Sequence, residues 1–245
     1  NLGDKEIVHN QYNELGQLSN KSLGNNLEDL DYSYNIRGWL TGINKAAIPS
    51  TNAQKWFAME LAYDKSEMTM GYISTPQFNG NISAALWRTK GDSKQRRYEF
   101  AYDPVNRLLR ADFTQFNGSI WDVSEGVDFS VKMGDGVRAG WAYDENGNIL
   151  AMEQMGLKIN SSSLIDGLHY TYESDYSNKL KQVIDDYNDS QSKLGDFKYK
   201  NKGTEDYRYD DNGNLTKDEN KTISLIEYNH LNLPKLITVT DKGKI

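Results

Sequence analysis

The chain has 245 residues and a mass of 27.9 kDa, enough to bury a sizeable core as one large β domain or two ordinary ones. Hydrophobic residues make up only 37% and mean hydropathy is -0.77, yet 16 Tyr, 7 Phe and 5 Trp supply aromatic area that disordered chains lack, so the chain is expected to fold. A net charge of -7 argues against nucleic acid and anionic membranes as partners, and the absence of cysteine excludes disulfides, zinc–thiolate centres and thiol catalysis.

From the N-terminus, Asn1-Leu2-Gly3-Asp4-Lys5-Glu6 shows neither an initiator Met nor a charged-then-apolar leader, so the chain reads as an internal piece of something longer. A tyrosine followed by a small polar acceptor then recurs: Tyr12-Asn13, Tyr34-Asn35, Tyr63-Asp64, Tyr102-Asp103, Tyr143-Asp144, Tyr209-Asp210 and Tyr228-Asn229, with Tyr172-Glu173 as a plausible further copy. Four positions on stand Gly16, Gly38, Asn106, Gly147, Gly213 and Asn232, the residue types that tolerate positive φ most cheaply. An aliphatic residue returns two positions later at Leu18, Leu40, Leu108, Ile149 and Leu215, while the last copy carries Pro234 there and recovers at Leu236.

Upstream of the tyrosine the period is two, as in Leu30-x-Tyr32-x-Tyr34, Met59-x-Leu61-x-Tyr63, Tyr98-x-Phe100-x-Tyr102, Leu168-x-Tyr170-x-Tyr172 and Tyr207-x-Tyr209. The interleaved residues are mostly polar, which marks strands with one face buried. Each unit is therefore expected to be strand, turn, strand, the Asp or Asn after Tyr forming an Asx turn and the tyrosines Tyr34, Tyr63, Tyr102, Tyr143 and Tyr209 sharing one face. Longer gaps between copies hold extra strands: Met68–Ile73 is expected to face Asn81–Trp87 across a turn at residues 75–80, and another extended region to run through Ile120, Trp121, Val127, Phe129 and Val131. Residues 180–187 fit two helical turns or a strand. The sum is an all-β chain of consecutive antiparallel hairpins over residues 1–245, a single region with no second domain. The longest uncharged stretch, residues 68–87, carries Gly71, Pro76, Asn79, Gly80 and Asn81 together, so no segment is expected to span a bilayer.

No catalytic, cofactor or metal site emerges. Asp144-Glu-Asn-Gly-Asn148 and Asp210-Asp-Asn-Gly-Asn214 are oxygen-rich like calcium loops, but they lack the distal glutamate and sit where the repeat puts a hairpin. His9, His169 and His230 are widely separated, no nucleophile elbow or phosphate loop is present, and Lys94-Gln-Arg-Arg97 reads most simply as a solvated loop. The aromatic residues can serve a carbohydrate-stacking surface, although their period-two placement favours a buried face.

The pattern Tyr-Asp/Asn-x-x-Gly-x-Leu, clearest in residues 32–44, 102–108 and 207–215, resembles the tyrosine-aspartate (YD) repeats of the rearrangement-hotspot (Rhs) family. The resemblance implies a β-ribbon spiralling into a hollow shell, as in bacterial polymorphic toxins, insecticidal toxin-complex subunits and animal teneurins. It further implies a secreted or cell-surface scaffold that encloses or presents a C-terminal effector. Its partners would be the remaining repeats and C-terminal region of the same longer chain, together with secretion machinery or a cell-surface protein or glycan. The terminal core segment with catalytic aspartates found in self-cleaving members has no match here, so neither self-cleavage nor toxin activity is expected. Two other readings stay open: a surface module binding glycan or protein through its aromatic face, and a hydrolase with a diffuse site.

Overall fold

Alternating residues satisfy their backbone only by pairing sideways, and here most strands pair with their neighbours in sequence. The computed structural model describes residues 6–50, 54–73, 75–189, 195–200 and 203–244. With 48% strand against 3% helix, and antiparallel sheets, the fold is all-β. The chain divides into two compact units, residues 1–127 and 128–245.

In the first unit, β1 (Val8–Tyr12), β2 (Leu18–Leu23), β3 (Glu28–Tyr34), β4 (Leu40–Ile43) and β5 (Phe57–Ala62) pair in sequence order. A detached hairpin, β6 (Glu67–Met68) with β7 (Gly71–Tyr72), follows. The sheet then resumes with β8 (Ala84–Thr89), β9 (Gln95–Tyr102) and β10 (Leu108–Phe116), and β11 (Trp121–Asp122) pairs with β10. The expected pairing of Met68–Ile73 with Asn81–Trp87 is thus replaced. Both sides of β8 are already taken, by β5 in register from Ala62↔Ala84 to Phe57↔Thr89 and by β9 from Ala84↔Glu99 to Arg88↔Gln95. Met68 and Ile73 serve instead as a cover, packing with Ile48 over the small side chains Ala58, Ala62 and Ala84 and over Leu86.

That cover changes the reading of the two faces. One face carries Met59, Leu61, Trp87, Tyr98, Phe100 and Phe113, with ring centroids 5.5 Å apart for Trp87–Tyr98 and 5.4 Å for Tyr98–Phe113. On β5, β8 and the start of β9 the opposite face, whose polar residues suggested solvent, is the more deeply buried. Glu60 is held there by Lys45 Nζ at 2.8 Å and by the Thr69 N–H at 2.8 Å. Nor is the segment 94–97 a solvated loop, because residues 95–97 open β9. Gln95 donates to the Ile48 carbonyl, while Arg97 donates to the Tyr72 carbonyl, pairs with Glu99 at 2.7 Å and stacks on Trp121 at 4.7 Å. These partners come from distant insertions, which strand periodicity does not register.

In the second unit, β12 (Val131–Met133), β13 (Ala151–Lys158), β14 (Ser161–Tyr172) and β15 (Leu180–Asp185) pair in order. A five-stranded sheet follows, of β16 (Tyr207–Tyr209), β17 (Leu215–Asp218), β18 (Ile223–Tyr228), β19 (Pro234–Val239) and β20 (Gly243–Lys244). The ambiguous segment 180–187 thus contains a strand. Of the extended region expected around residues 120–131, only β11 and the start of β12 are strand. Before Tyr143 the chain forms a single helical turn, α1 (Ala139–Ala142), in place of the expected strand. Its close packing depends on Gly134 at φ +56°, where an added Cβ would lie 2.5 Å from the backbone of Trp141.

Candidate functional site

The repeat tyrosine pairs with the residue six positions on: Tyr12↔Leu18, Tyr34↔Leu40, Tyr102↔Leu108, Tyr209↔Leu215 and Tyr228↔Pro234, each beside a register shift, and Tyr143↔Ile149 as an isolated bridge. Between them the acidic or amide side chain organises the turn. Asn13 Oδ1 accepts from the N–H groups of Leu15 and Gln17, Asn35 Oδ1 from Arg37 and Trp39, Asp103 Oδ1 from Val105 and Arg107, Asp210 Oδ1 from Asn212 and Asn214, and Asn229 Oδ1 from Leu231 and Leu233. Asp144 Oδ1 likewise accepts from Asn148 N–H at 2.8 Å. The residue three places after this acceptor takes positive φ in all six turns: Gly16 +75°, Gly38 +80°, Asn106 +70°, Gly147 +86°, Gly213 +83° and Asn232 +57°.

The tyrosine hydroxyls do a second job. Tyr34 donates to the carbonyl of Leu18, Tyr63 to Leu40 and Tyr102 to Ile82. In the second unit Tyr172 donates to Ile149, Tyr209 to Leu180 and Tyr228 to Leu215. Leu18, Leu40, Leu180 and Leu215 open the strand after the preceding reversal and Ile82 and Ile149 lie just ahead of theirs, so each of these tyrosines, at or next to the end of its own strand, holds the element before it. Burial raises the phenol pKa of Tyr63, Tyr102, Tyr172 and Tyr209 above the ordinary value.

The copies are not equivalent. Tyr63 and Tyr143 are buried, Tyr34, Tyr102, Tyr209 and Tyr228 are half-buried, and Tyr12 on β1 is exposed. At Tyr63 the short turn is expanded into the excursion carrying β6 and β7. Asp64 is exposed, and the sheet resumes through Ser83 N–H donating to Ala62 O at 2.8 Å. Tyr172 reaches Leu180 across a longer loop closed by Glu173 N–H to Lys179 O.

The oxygen-rich strings at residues 144–148 and 210–214 turn their carboxylates onto their own turns. Asp144 Oδ2 accepts from Asn148 Nδ2 at 2.8 Å and Asp210 Oδ2 from Asn214 Nδ2 at 2.9 Å. The Asn214 amide and turn N–H groups hold Asp210 below the usual carboxylate range; at Asp144 burial pushes upward, but the Asn148 bonds prevail. The three histidines do not converge: His9 contacts Glu6, His169 contacts Asp186 at 3.0 Å with both side chains more than half exposed, and His230 is exposed.

A different carboxylate group escaped the sequence reading. Asp166 on β14, Asp185 on β15 and Asp196 are all buried, and one oxygen of each lies within 4.8 Å of an oxygen of the other two. Asp166 Oδ1 accepts from Phe197 N–H at 2.6 Å, Asp185 Oδ1 from the N–H groups of Gly167 and Tyr187, and Asp196 Oδ2 from Lys198 Nζ at 2.6 Å. Burial, and then the charges of Asp185 and Asp196, raise the Asp166 pKa against the pull of the Phe197 N–H. Sequence separation hid the cluster; its one visible trace is Asp166 set inside the apolar run Leu164-Ile165-Asp166-Gly167-Leu168.

No protein-family model matches the chain, and no curated protein matches it.

Proposed function

We propose that the chain is a noncatalytic YD-repeat segment of a large exported bacterial Rhs-type protein, serving as shell or surface scaffold that encloses or presents a C-terminal effector. The observation that supports this most is the hydroxyl bond from one repeat tyrosine to the hairpin before it, made by Tyr34, Tyr63 and Tyr102 in one unit and by Tyr172, Tyr209 and Tyr228 in the other. Side chains committed to joining hairpins build a wall. The exposed strand β1, with Val8 and Tyr12 uncovered, offers an edge to which further repeats of the same longer chain would add. Among the described residues no helix is long and apolar enough to cross a membrane. Cryo-electron microscopy of the full-length native protein tests the reading. A continuous wall of hairpins around internal density is the expected result, and a segment standing alone outside any enclosure would overturn it.

The glycan-binding alternative draws on a groove of about 550 Å³ in the second unit, where the exposed ring of Trp141 stands beside His169, Asp186 and Tyr187. Arg138 covers one face of that ring, its guanidinium carbon 3.3 Å from the centroid. Binding on a glycan array that is lost in Trp141→Ala, with the fold retained, would favour this second reading.

A further inference from the structure

The Asp166, Asp185 and Asp196 carboxylates with the Lys198 ammonium leave two negative charges uncompensated in a buried place. Interior charge without a partner is costly even after the surroundings relax. A second observation says where the compensation belongs: Asp185 Oδ2 is buried and meets no hydrogen-bond donor, while Oδ1 of the same carboxylate takes two backbone N–H groups. A buried acceptor left this way is rare in a folded protein and points to something that the protein itself does not supply.

We propose that these three carboxylates hold a divalent cation, calcium in particular, which pins the segment 196–198 to strands β14 and β15. The donor set is all oxygen, which suits a hard cation. The three oxygens, all within 4.8 Å of one another, are close enough to share one ion, and calcium, with its longer bonds and flexible geometry, accommodates a looser set than magnesium does. A dication also matches the residual charge, three carboxylates against one ammonium. The competing arrangement is a proton shared between Asp166 and Asp185, which neutralises only one of the two charges.

The test uses protein stripped with EDTA and then titrated with CaCl2 during thermal unfolding. The melting temperature is expected to rise with the logarithm of calcium concentration, with half-saturation at about 0.1 to 1 mM, the range of extracellular calcium modules. Terbium, bound in calcium's place, should luminesce on tyrosine excitation, Tyr187 being two residues from Asp185, and added calcium should quench it. Asp185→Asn should lose both responses while melting no lower than the stripped wild type, because it removes like-charge repulsion. If Asp185→Asn fails to fold, Asp196→Asn and the wild-type terbium competition carry the same decision. Absence of any calcium or terbium response in the wild type overturns the proposal. So does a response that persists in both variants, which would place the ion elsewhere, or a pH-dependent stability change in EDTA that calcium leaves unaltered and Asp185→Asn abolishes, which would assign the site to a shared proton.

Discussion

At the scale of the single residue, Tyr34, Tyr63, Tyr102, Tyr172, Tyr209 and Tyr228 each contribute twice, by covering apolar area with the ring and by giving the hydroxyl to a carbonyl of the element before. The two parts separate by substitution. Tyr102→Phe keeps the ring and deletes only the bond to Ile82 O, so urea unfolding should show a loss of about 1 kcal/mol. Tyr63→Ala, at a buried ring packed 5.1 Å from Trp39, should cost more, roughly 3 to 5 kcal/mol. The turn glycines separate backbone strain from crowding. At Gly147, φ is +86° and no atom lies near an added Cβ, so Gly147→Val should cost about 1 kcal/mol or more through backbone strain alone. Gly140→Ala, equally uncrowded but without positive φ, should leave the same denaturation midpoint unchanged or slightly raised.

At the scale of the element, the hairpins are local objects and the insertions are not, and this difference decided what could be read in advance. Tyr209, Asp210, Gly213 and Leu215 complete their geometry within seven residues, so their spacing alone announced the turn. Glu60 looked like a solvent face, and Gln95 and Arg97 like part of a solvated loop, because what buries them arrives from Lys45, Thr69, Tyr72 and Ile48, and local sequence carries no record of a distant cover. The helical turn before Tyr143 was hidden for a similar reason, since the contact that admits it is between Gly134 and the Trp141 backbone. The carboxylate cluster, assembled from positions 166, 185 and 196, had no local spacing to betray it. The insertion cover should be a principal source of stability for the first unit. Ile48→Ala, at a fully buried side chain in that cover, is expected to lose about 2 to 5 kcal/mol in chemical denaturation, despite lying outside every strand.

At the scale of the whole molecule, the acidic turns add up to a dependence on pH. Asp103, Asp144 and Asp210 titrate below the unfolded value of 3.8, so the folded state holds fewer protons than the unfolded one as the solution turns acidic. Their contribution is therefore complete above the unfolded pKa and is lost as the pH falls through the lowered folded values. Asp166, raised by burial and its neighbours, acts in the opposite sense: protonation relieves its folded state. A double variant Asp144→Asn with Asp210→Asn leaves Asp166 untouched and keeps a side chain already used at Asn13, Asn35 and Asn229. Its unfolding midpoint should drop less between pH 6 and pH 3 than that of the wild type, and an equal drop would show that these turns do not set the acid limit. Far-ultraviolet circular dichroism of the intact chain should show a β spectrum, well short of the third of residues that are helical in an average globular protein.

The tyrosine hydroxyl that reaches back to the hairpin before it also bears on how such a chain acquires its structure. Along most of the sheets each strand pairs with the one just made, so the chain closes short loops and low contact order replaces the slow search that β topologies usually demand. A newly formed hairpin presents a fixed carbonyl, and the next tyrosine is correctly placed only when its own strand ends in register with that acceptor. The bond thus favours the correct register over a slipped one. A strand slipped by one residue sends the ring to the wrong face and forfeits the contact, so an error is rejected at the rung where it arises rather than being copied into those that follow.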